Sequence, residues 1–150
     1  MKEYLFLDNN SIDVINENIE LFKQLDKLYK YCISPSVLEE LANIPDNKKE
    51  TRIKNLITLI EMQPKFIYDS VFVLDYSRLD CACLGDGKVY NEILNSSNTN
   101  IRDAIIADTA VNNKCILFTE DSRLYNKMKK LNYRCVNLND LINVSEGLNE

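Results

Sequence analysis

Four apolar residues in succession, Tyr4-Leu5-Phe6-Leu7, followed at once by Asp8, constrain the fold more than any other stretch of this chain. An alternating strand can leave one face wet, but a continuous apolar run has to be covered on both faces, as the strands of a parallel sheet are. Parallel strands need long crossovers, and helical patterns fall where those crossovers belong. Asn9, Asn10 and Ser11 mark a turn and a helix start, after which Ile12, Ile15, Ile19, Phe22, Leu25 and Leu28 recur at helical spacing. A short strand at Tyr31-Cys32-Ile33 leads to Ser34-Pro35, an N-cap with proline at the first helical position, and to a helix predicted to end near Ile44.

Residues 45–50 read as a polar linker and Thr51–Met62 as an amphipathic helix ended by Pro64. Phe66–Leu74, rich in β-branched and aromatic residues, is expected to be a third strand. Gly85 and Gly87 bracket Asp86 in a turn before a helix over Val89–Leu94, and 95–100 is a loop. The last third alternates clearly: helix Ile101–Asn113, strand Cys115–Thr119, helix Asp121–Leu131, strand Tyr133–Val136 and a short helix Leu138–Ile142. This order predicts one α/β domain over residues 1–142 with right-handed crossovers, and a frayed tail over 143–150.

Composition narrows the chemistry. At 150 residues the chain can bury about 68–70% of its unfolded surface without a disulfide or zinc staple. No apolar run approaches the roughly 18 residues of a membrane span. Cys32, Cys81, Cys83, Cys115 and Cys135 form an odd set without a C-x-x-C pair, and the N-terminus has neither a basic n-region nor a cleavage site, so a reduced, cytoplasmic chain is expected. Cys32, Cys115 and Cys135 fall in strands and read as small buried hydrophobes. The net charge of −5 is the wrong sign for holding nucleic acid by bulk charge. Histidine is absent, which removes Ser-His-Asp and Cys-His catalysis and His-ligated zinc together. Carboxylates remain.

In an open parallel sheet the binding crevice lies beyond the carboxyl ends of the strands, and Asp8, Glu40, Asp103 and Asp121 all fall just after a strand or early in the following helix. Each has a plain structural reading beside the functional one. Asp8 and Asp121 suit helix N-caps, and Asp103 suits the third position of a helix capped by Asn100. Glu40 borders the apolar face set by Val37, Leu41 and Ile44, while Glu39 turns to water and completes a Ser36-Val37-Leu38-Glu39 capping-box pattern. Ile106, Ala107, Ala110 and Val111 turn Asp103 toward packed apolar surface. Asp108 lies about 140° around the helix from Asp103 at 100° per residue, pointing to a supporting or surface role. Several carboxylates in one crevice repel and raise one another's pKa unless a divalent cation neutralises them. All-oxygen ligands select Mg²⁺ or Mn²⁺, which suits phosphoryl transfer.

Four stretches together, Tyr4–Asn9 (YLFLDN), Ser34–Leu41 (SPSVLEEL), Asp103–Ala110 (DAIIADTA) and Ile116–Leu124 (ILFTEDSRL), resemble the PIN-domain nucleases, and among them the VapC-type toxins of bacterial toxin-antitoxin pairs. They occur in that family's order, and the resemblance covers roughly residues 3–142. The resemblance implies a three-layer α/β/α sandwich on a mainly parallel sheet and Mg²⁺- or Mn²⁺-dependent cleavage of RNA. It assigns the metal ligands to Asp8, Glu40, Asp103 and Asp121, a hydroxyl that orients a carboxylate to Thr119, and a small polar neighbour to Asn9. Asp108 stands where many members carry a small residue, and 75–100 matches no motif of the family. An antitoxin chain blocking the crevice and a homodimer are further implications.

RNA also needs cations. Arg102 and Arg123 adjoin two of the acidic positions, and Lys48, Lys49, Arg52 and Lys54 form the densest basic run, which reads equally as a solvated helix face. Tyr76, Tyr90 and Tyr125 could stack bases, although burial is the commoner fate of tyrosine. Two rival readings stand: a PIN-like module that binds RNA or protein without cutting, and a Mg²⁺-dependent phosphatase or phospho-acceptor domain with Asp8 as nucleophile. Asn10 argues against the second, because it occupies the place of the second acid in a D-x-D start.

Overall fold

The computed structural model describes residues 1–95 and 100–148, and the apolar run that opens the chain lies at its centre. Leu5, Phe6 and Leu7 of strand β1 (Glu3–Leu7) have no solvent exposure. β2 (Tyr29–Ile33) and β4 (Ile116–Phe118) flank it, with β3 (Lys65–Phe66) and β5 (Cys135–Val136) outside them. The sheet runs β3-β2-β1-β4-β5 and every pairing is parallel. Leu5 lies opposite Tyr31 on one side and Ile116 on the other, and Leu7 opposite Phe118. By alternation these side chains share one face of the sheet, while Phe6, Cys32 and Leu117 take the other.

Eight α-helices occur among the described residues. α1 (Asn9–Glu17) and α2 (Ile19–Leu25) join β1 to β2. α3 (Pro35–Ala42), a 3₁₀ turn at Asp46–Lys48 and α4 (Lys49–Met62) join β2 to β3. After β3 the chain reverses direction across the sheet, through α5 (Lys88–Leu94) and α6 (Ile101–Asn112) to β4, and through α7 (Ser122–Lys130) to β5. With right-handed crossovers, that reversal puts α1–α4 on one face and α5–α7 on the other. The result is a three-layer α/β/α sandwich. Phe22 of α2 packs its ring on Tyr31 and Phe118, at centroid separations of 6.5 and 5.6 Å. The closing helix α8 (Leu138–Glu146) packs against α2.

The elements differ most from the sequence reading in four places, besides a 3₁₀ turn and the start of α4 within the expected linker 45–50 and a last strand cut from Tyr133–Val136 to Cys135–Val136. The helical stripe over 12–28 is two helices, because Asn18 leaves the helical region (φ −131°, ψ 40°) and its side-chain amide donates to Val14 O. Ile19 at the break is 47% exposed, although Ile12, Ile15, Phe22 and Leu25 stay buried. Of the expected strand Phe66–Leu74 only Phe66 is strand, in the two-residue β3 (Lys65–Phe66). Beyond it the chain is irregular to Gly87, held by one parallel bridge between Asp69 and Ala82. Composition there favours extension, but Asp69 and Ser70 turn inward to bond with α3 and α6 instead. Ser36 and Glu39 do not form a capping box: α3 starts at Pro35, so Ser34 occupies the N-cap position and the Ser36 hydroxyl donates to Asp69 Oδ2 at 2.8 Å. The tail expected to fray from 143 continues helical to Glu146 behind a capping box of Asn137 and Asp140, with Ser145 buried. Part of the expected loop at 95–100, residues 96–99, lies outside the described residues, as do 149 and 150.

The five cysteines are free thiols, with Cys32, Cys115 and Cys135 buried. No helix among the described residues is long and apolar enough to cross a membrane.

Asp108 is fully buried and joins three segments. Its carboxylate accepts from the Ser70 hydroxyl, from Asn112 Nδ2 at 2.8 Å and from the Tyr90 backbone N–H at 2.9 Å. Removing a buried acceptor strands its donors, so Asp108→Ala should lower unfolding free energy by about 3 kcal/mol in urea titrations, against little change for an exposed control such as Asp80→Ala. A loss equal to the control's would mean these bonds contribute nothing.

Candidate metal centre

Because the strands are parallel and in register, their carboxyl ends finish at one level, and the residues just beyond them form a row. Asp8 and Thr119 are neighbours in that row, between β1 and β4, where the strand order reverses. Asp8 N–H donates to Phe118 O at 3.1 Å, prolonging the ladder by one residue. The Asp8 carboxylate is only 3% exposed. Its Oδ2 accepts from the Thr119 hydroxyl at 2.6 Å and its Oδ1 from the Asn9 backbone N–H at 2.7 Å, capping α1. Burial pushes the Asp8 carboxyl up, the Thr119 and Asn9 bonds oppose that, and the Asp121 charge adds to it.

Thr119 connects a second acid. Its oxygen accepts from the Asp121 backbone N–H at 3.1 Å, while Asp121 Oδ1 accepts from the N–H groups of Arg123 and Leu124 at 2.8 and 3.0 Å as the N-cap of α7. Asn10 and Ser11 support the same junction: Asn10 Oδ1 accepts from Glu120 N–H at 3.1 Å, and the Ser11 hydroxyl donates to Phe118 O.

Two more acids approach on helices. Asp103 sits in the first turn of α6, whose N-cap Asn100 accepts from Arg102 N–H at 3.1 Å. Burial, then the charges of Asp8 and Asp121, push the Asp103 carboxyl up to about 6 from 3.8, against the Asn100 backbone N–H and the Lys127 ammonium. Glu40 on α3 is pushed up to about 7 from 4.5 by burial and then by the charge of Asp8, with Arg102 opposing and Asp103 adding. Asp8, Glu40, Asp103 and Asp121 thus share one electrostatic neighbourhood. Among the described residues, however, no three Asp, Glu or Cys side chains converge into a group that could hold an ion as they stand. By chemistry the donors suit a hard cation, since all are carboxylate oxygens and the raised carboxyls of Glu40 and Asp103 would be drawn back down by a divalent charge.

The remaining candidate residues scatter. Arg102 forms a half-buried ion pair with Glu39 at 3.4 Å and lies 6.0 Å from the Tyr76 ring centre. Arg123 is exposed in the first turn of α7, beside Asp121. Lys48 and Lys49 are exposed where the 3₁₀ turn meets α4. Arg52 is tied back into that turn, donating to Ile44 O at 2.8 Å and pairing with Asp46 at 3.0 Å. Asn9 contributes its backbone N–H, and the bonds of Asp108 go to Ser70, Tyr90 and Asn112 rather than to the acids.

Sequence reasoning missed Lys127, although it stands one helical turn after Arg123 and so on the same face of α7. It also missed Asp69, which is 2% exposed. Burial pushes the Asp69 carboxyl up against the pull of the Ser34 and Ser36 hydroxyls. Ser34 Oγ and Asp69 Oδ1 are both buried without a hydrogen bond of good geometry. Nothing in the irregular segment's composition distinguishes this carboxylate from its exposed neighbours Asp75 and Asp80.

No family model and no curated protein matches the chain. Among solved structures it is similar to one described as a domain of a functionally unknown protein from Methanocaldococcus jannaschii DSM 2661. The two are 23% identical over 91% of each chain, with a TM-score of 0.57. That likeness concerns the fold.

Raised carboxyl pKa values make stability depend on pH in a definite direction. Between the unfolded values near 4 and the folded values of about 6 and 7, the native state binds more protons than the unfolded state, so stability falls as pH rises through that window. In metal-free buffer the midpoint of thermal unfolding should therefore fall from pH 5 to pH 8, with a shallower fall in Glu40→Gln. Mn²⁺ should raise it more at pH 8 than at pH 5. Identical pH profiles for wild type and Glu40→Gln would show that neither burial nor the Asp8 charge raises the Glu40 carboxyl.

Proposed function

We propose that this chain is a metal-dependent endoribonuclease of the PIN type, similar to the VapC-type toxins, acting in the cytoplasm on RNA phosphodiester bonds. One observation carries the reading. Glu40 and Asp103, from helices on opposite layers, have carboxyl groups held near neutrality by burial and by the charge of Asp8, at the point where the strand order reverses. Such mutual destabilisation is costly unless a cation relieves it, and perturbed acids in a strand-end crevice are characteristic of working sites.

Asp8, Glu40, Asp103 and Asp121 would hold Mg²⁺ or Mn²⁺, which supplies charge neutralisation and a more acidic water for attack on the phosphodiester. The protein's own groups do the positioning. The Thr119 hydroxyl fixes Asp8 in one rotamer through a 2.6 Å bond and, by accepting from Asp121 N–H, sets the start of α7 relative to β1. Arg102 opposes the charge of Glu40 while its ion pair with Glu39 keeps it at the crevice edge. Arg123 stands exposed on the α7 side and can contact a phosphate on either side of the cut. On this reading an antitoxin chain would block the crevice, and the toxin would act as a homodimer.

The test is cleavage of unstructured RNA by the purified full chain with Mn²⁺, with and without chelator. Asp8→Asn and Asp103→Asn should abolish cutting, while Thr119→Val should lower the turnover by about 10–100-fold with the fold intact. Cleavage that survives both chelation and Asp8→Asn would overturn the assignment.

A further inference from the structure

The irregular segment between β3 and α5 leaves Leu74, Leu79 and Leu84 exposed, and Tyr76 is 37% exposed. The backbone is folded to present that ring. Val73 O accepts from the N–H groups of Tyr76 and Ser77 at 3.1 and 2.8 Å, and the Ser77 hydroxyl accepts from Val73 N–H at 3.0 Å. Closing this turn puts Asp75 in the left-handed region, at φ 68°, where aspartate is among the few tolerated residues besides glycine.

Arg102 approaches the ring from α6. Its guanidinium lies 6.0 Å from the ring centre, its Nη1 pairs with Glu39 of α3 at 3.4 Å, and it precedes Asp103 in the first turn of the helix. Its charge also opposes that of Glu40. The Tyr76 ring and the Arg102 guanidinium therefore stand at the edge of the acid crevice, next to the helices that carry Glu40 and Asp103. Tyr90 and Tyr125 are committed elsewhere. Tyr90 is half-buried against the core, and Tyr125 donates its hydroxyl to Asp140 at 2.8 Å with Lys129 over its ring.

A ring with a guanidinium beside it suits a flat π system, which stacks on both, whereas an aliphatic group would gain from the ring and nothing from the cation. A nucleobase is the flat group that comes attached to a phosphodiester. Within a duplex its faces are covered by neighbouring bases, so only an unpaired base can use the ring. The guanidinium carries five N–H donors and meets Glu39 through Nη1, so the same group can also reach a phosphate oxygen.

We propose that Tyr76 and Arg102 form the seat of one unpaired nucleobase of the substrate, beside the phosphate that the acids would hold. The inference rests on the nuclease reading and adds to it the residues that recognise the base. Stacking tolerates any base, so the seat selects single strands over duplexes rather than a sequence.

Fluorescence anisotropy of a short labelled RNA on the full chain, with Ca²⁺ in place of Mn²⁺ to withhold cleavage, tests this. The single strand should bind at least about tenfold more tightly than the same strand in a duplex, Tyr76→Ala should weaken it by about tenfold, and Tyr76→Phe, which keeps the ring, should restore it. A strand of abasic residues keeps the phosphates and lacks the bases, so wild type and Tyr76→Ala should bind it equally. That arm changes the ligand instead of the protein and so separates a lost stacking contact from a disturbed fold. The inference is overturned if Tyr76→Ala binds the single strand like wild type, if it weakens the abasic strand as much, or if the duplex binds as tightly as the single strand. Any of these, with Mn²⁺-dependent cleavage present in wild type and lost in Asp8→Asn, leaves the nuclease reading standing; RNA that is neither bound nor cut removes both.

Discussion

A carboxylate as buried as Asp8 has to be compensated where it stands, and the two groups that compensate it decide how the crevice is built. The Thr119 hydroxyl comes from the end of β4 and the Asn9 N–H from the start of α1, so each bond ties the first strand to a different element. The Thr119 bond could not form without the parallel register that aligns Leu7 with Phe118, because a slip of one residue would turn Thr119 to the opposite face. The buried charge, the register and the two helix starts are one arrangement. Asp121 and Asp103 then sense Asp8 through space, and the network extends to Glu40 on the other layer.

The irregular segment after β3 has a mechanical role in the same arrangement. Asp69 receives the Ser36 hydroxyl of α3, and Ser70 donates its backbone N–H to Thr109 Oγ1 at 3.1 Å and its hydroxyl to Asp108, both on α6. Two adjacent residues therefore clasp the helices that carry Glu40 and Asp103. The separation of those two carboxylates follows from a stretch that shows neither periodicity nor motif.

What the sequence discloses depends on the range of the interaction. β1 and the alternating last third were legible because apolar runs and helical periods are local signals, and Asp121 was recognisable as an N-cap from its place before an amphipathic stretch. The nearness of Asp8, Asp103 and Asp121 follows from the parallel order, since each trails a strand or opens a helix at one end of the sheet, and Glu40 joins them from the second turn of α3. The break at Asn18, the brevity of β3 and the burial of Asp69 were not legible. The last two are decided by partners distant in sequence, Ser36 for Asp69 and Cys32 and Ile33 for β3, whereas the break at Asn18 is a local bond to Val14 O that leaves the apolar stripe unchanged. Arg52 was placed with the basic run, as an RNA contact or part of a solvated helix face, because its carbonyl and carboxylate partners at Ile44 and Asp46 are set by the turn.

The central position of β1 has a consequence for how the molecule comes into being. Its neighbour on one side, β2, is made soon after it, but the other, β4, starts only at Ile116. α2 likewise waits for α8, at the far end of the chain, to cover it. β1 thus waits for β4 to complete it, leaving its most apolar residues with one open flank until that strand has been made. Pairings of such long sequence separation fold slowly and leave sticky surface available to other chains meanwhile.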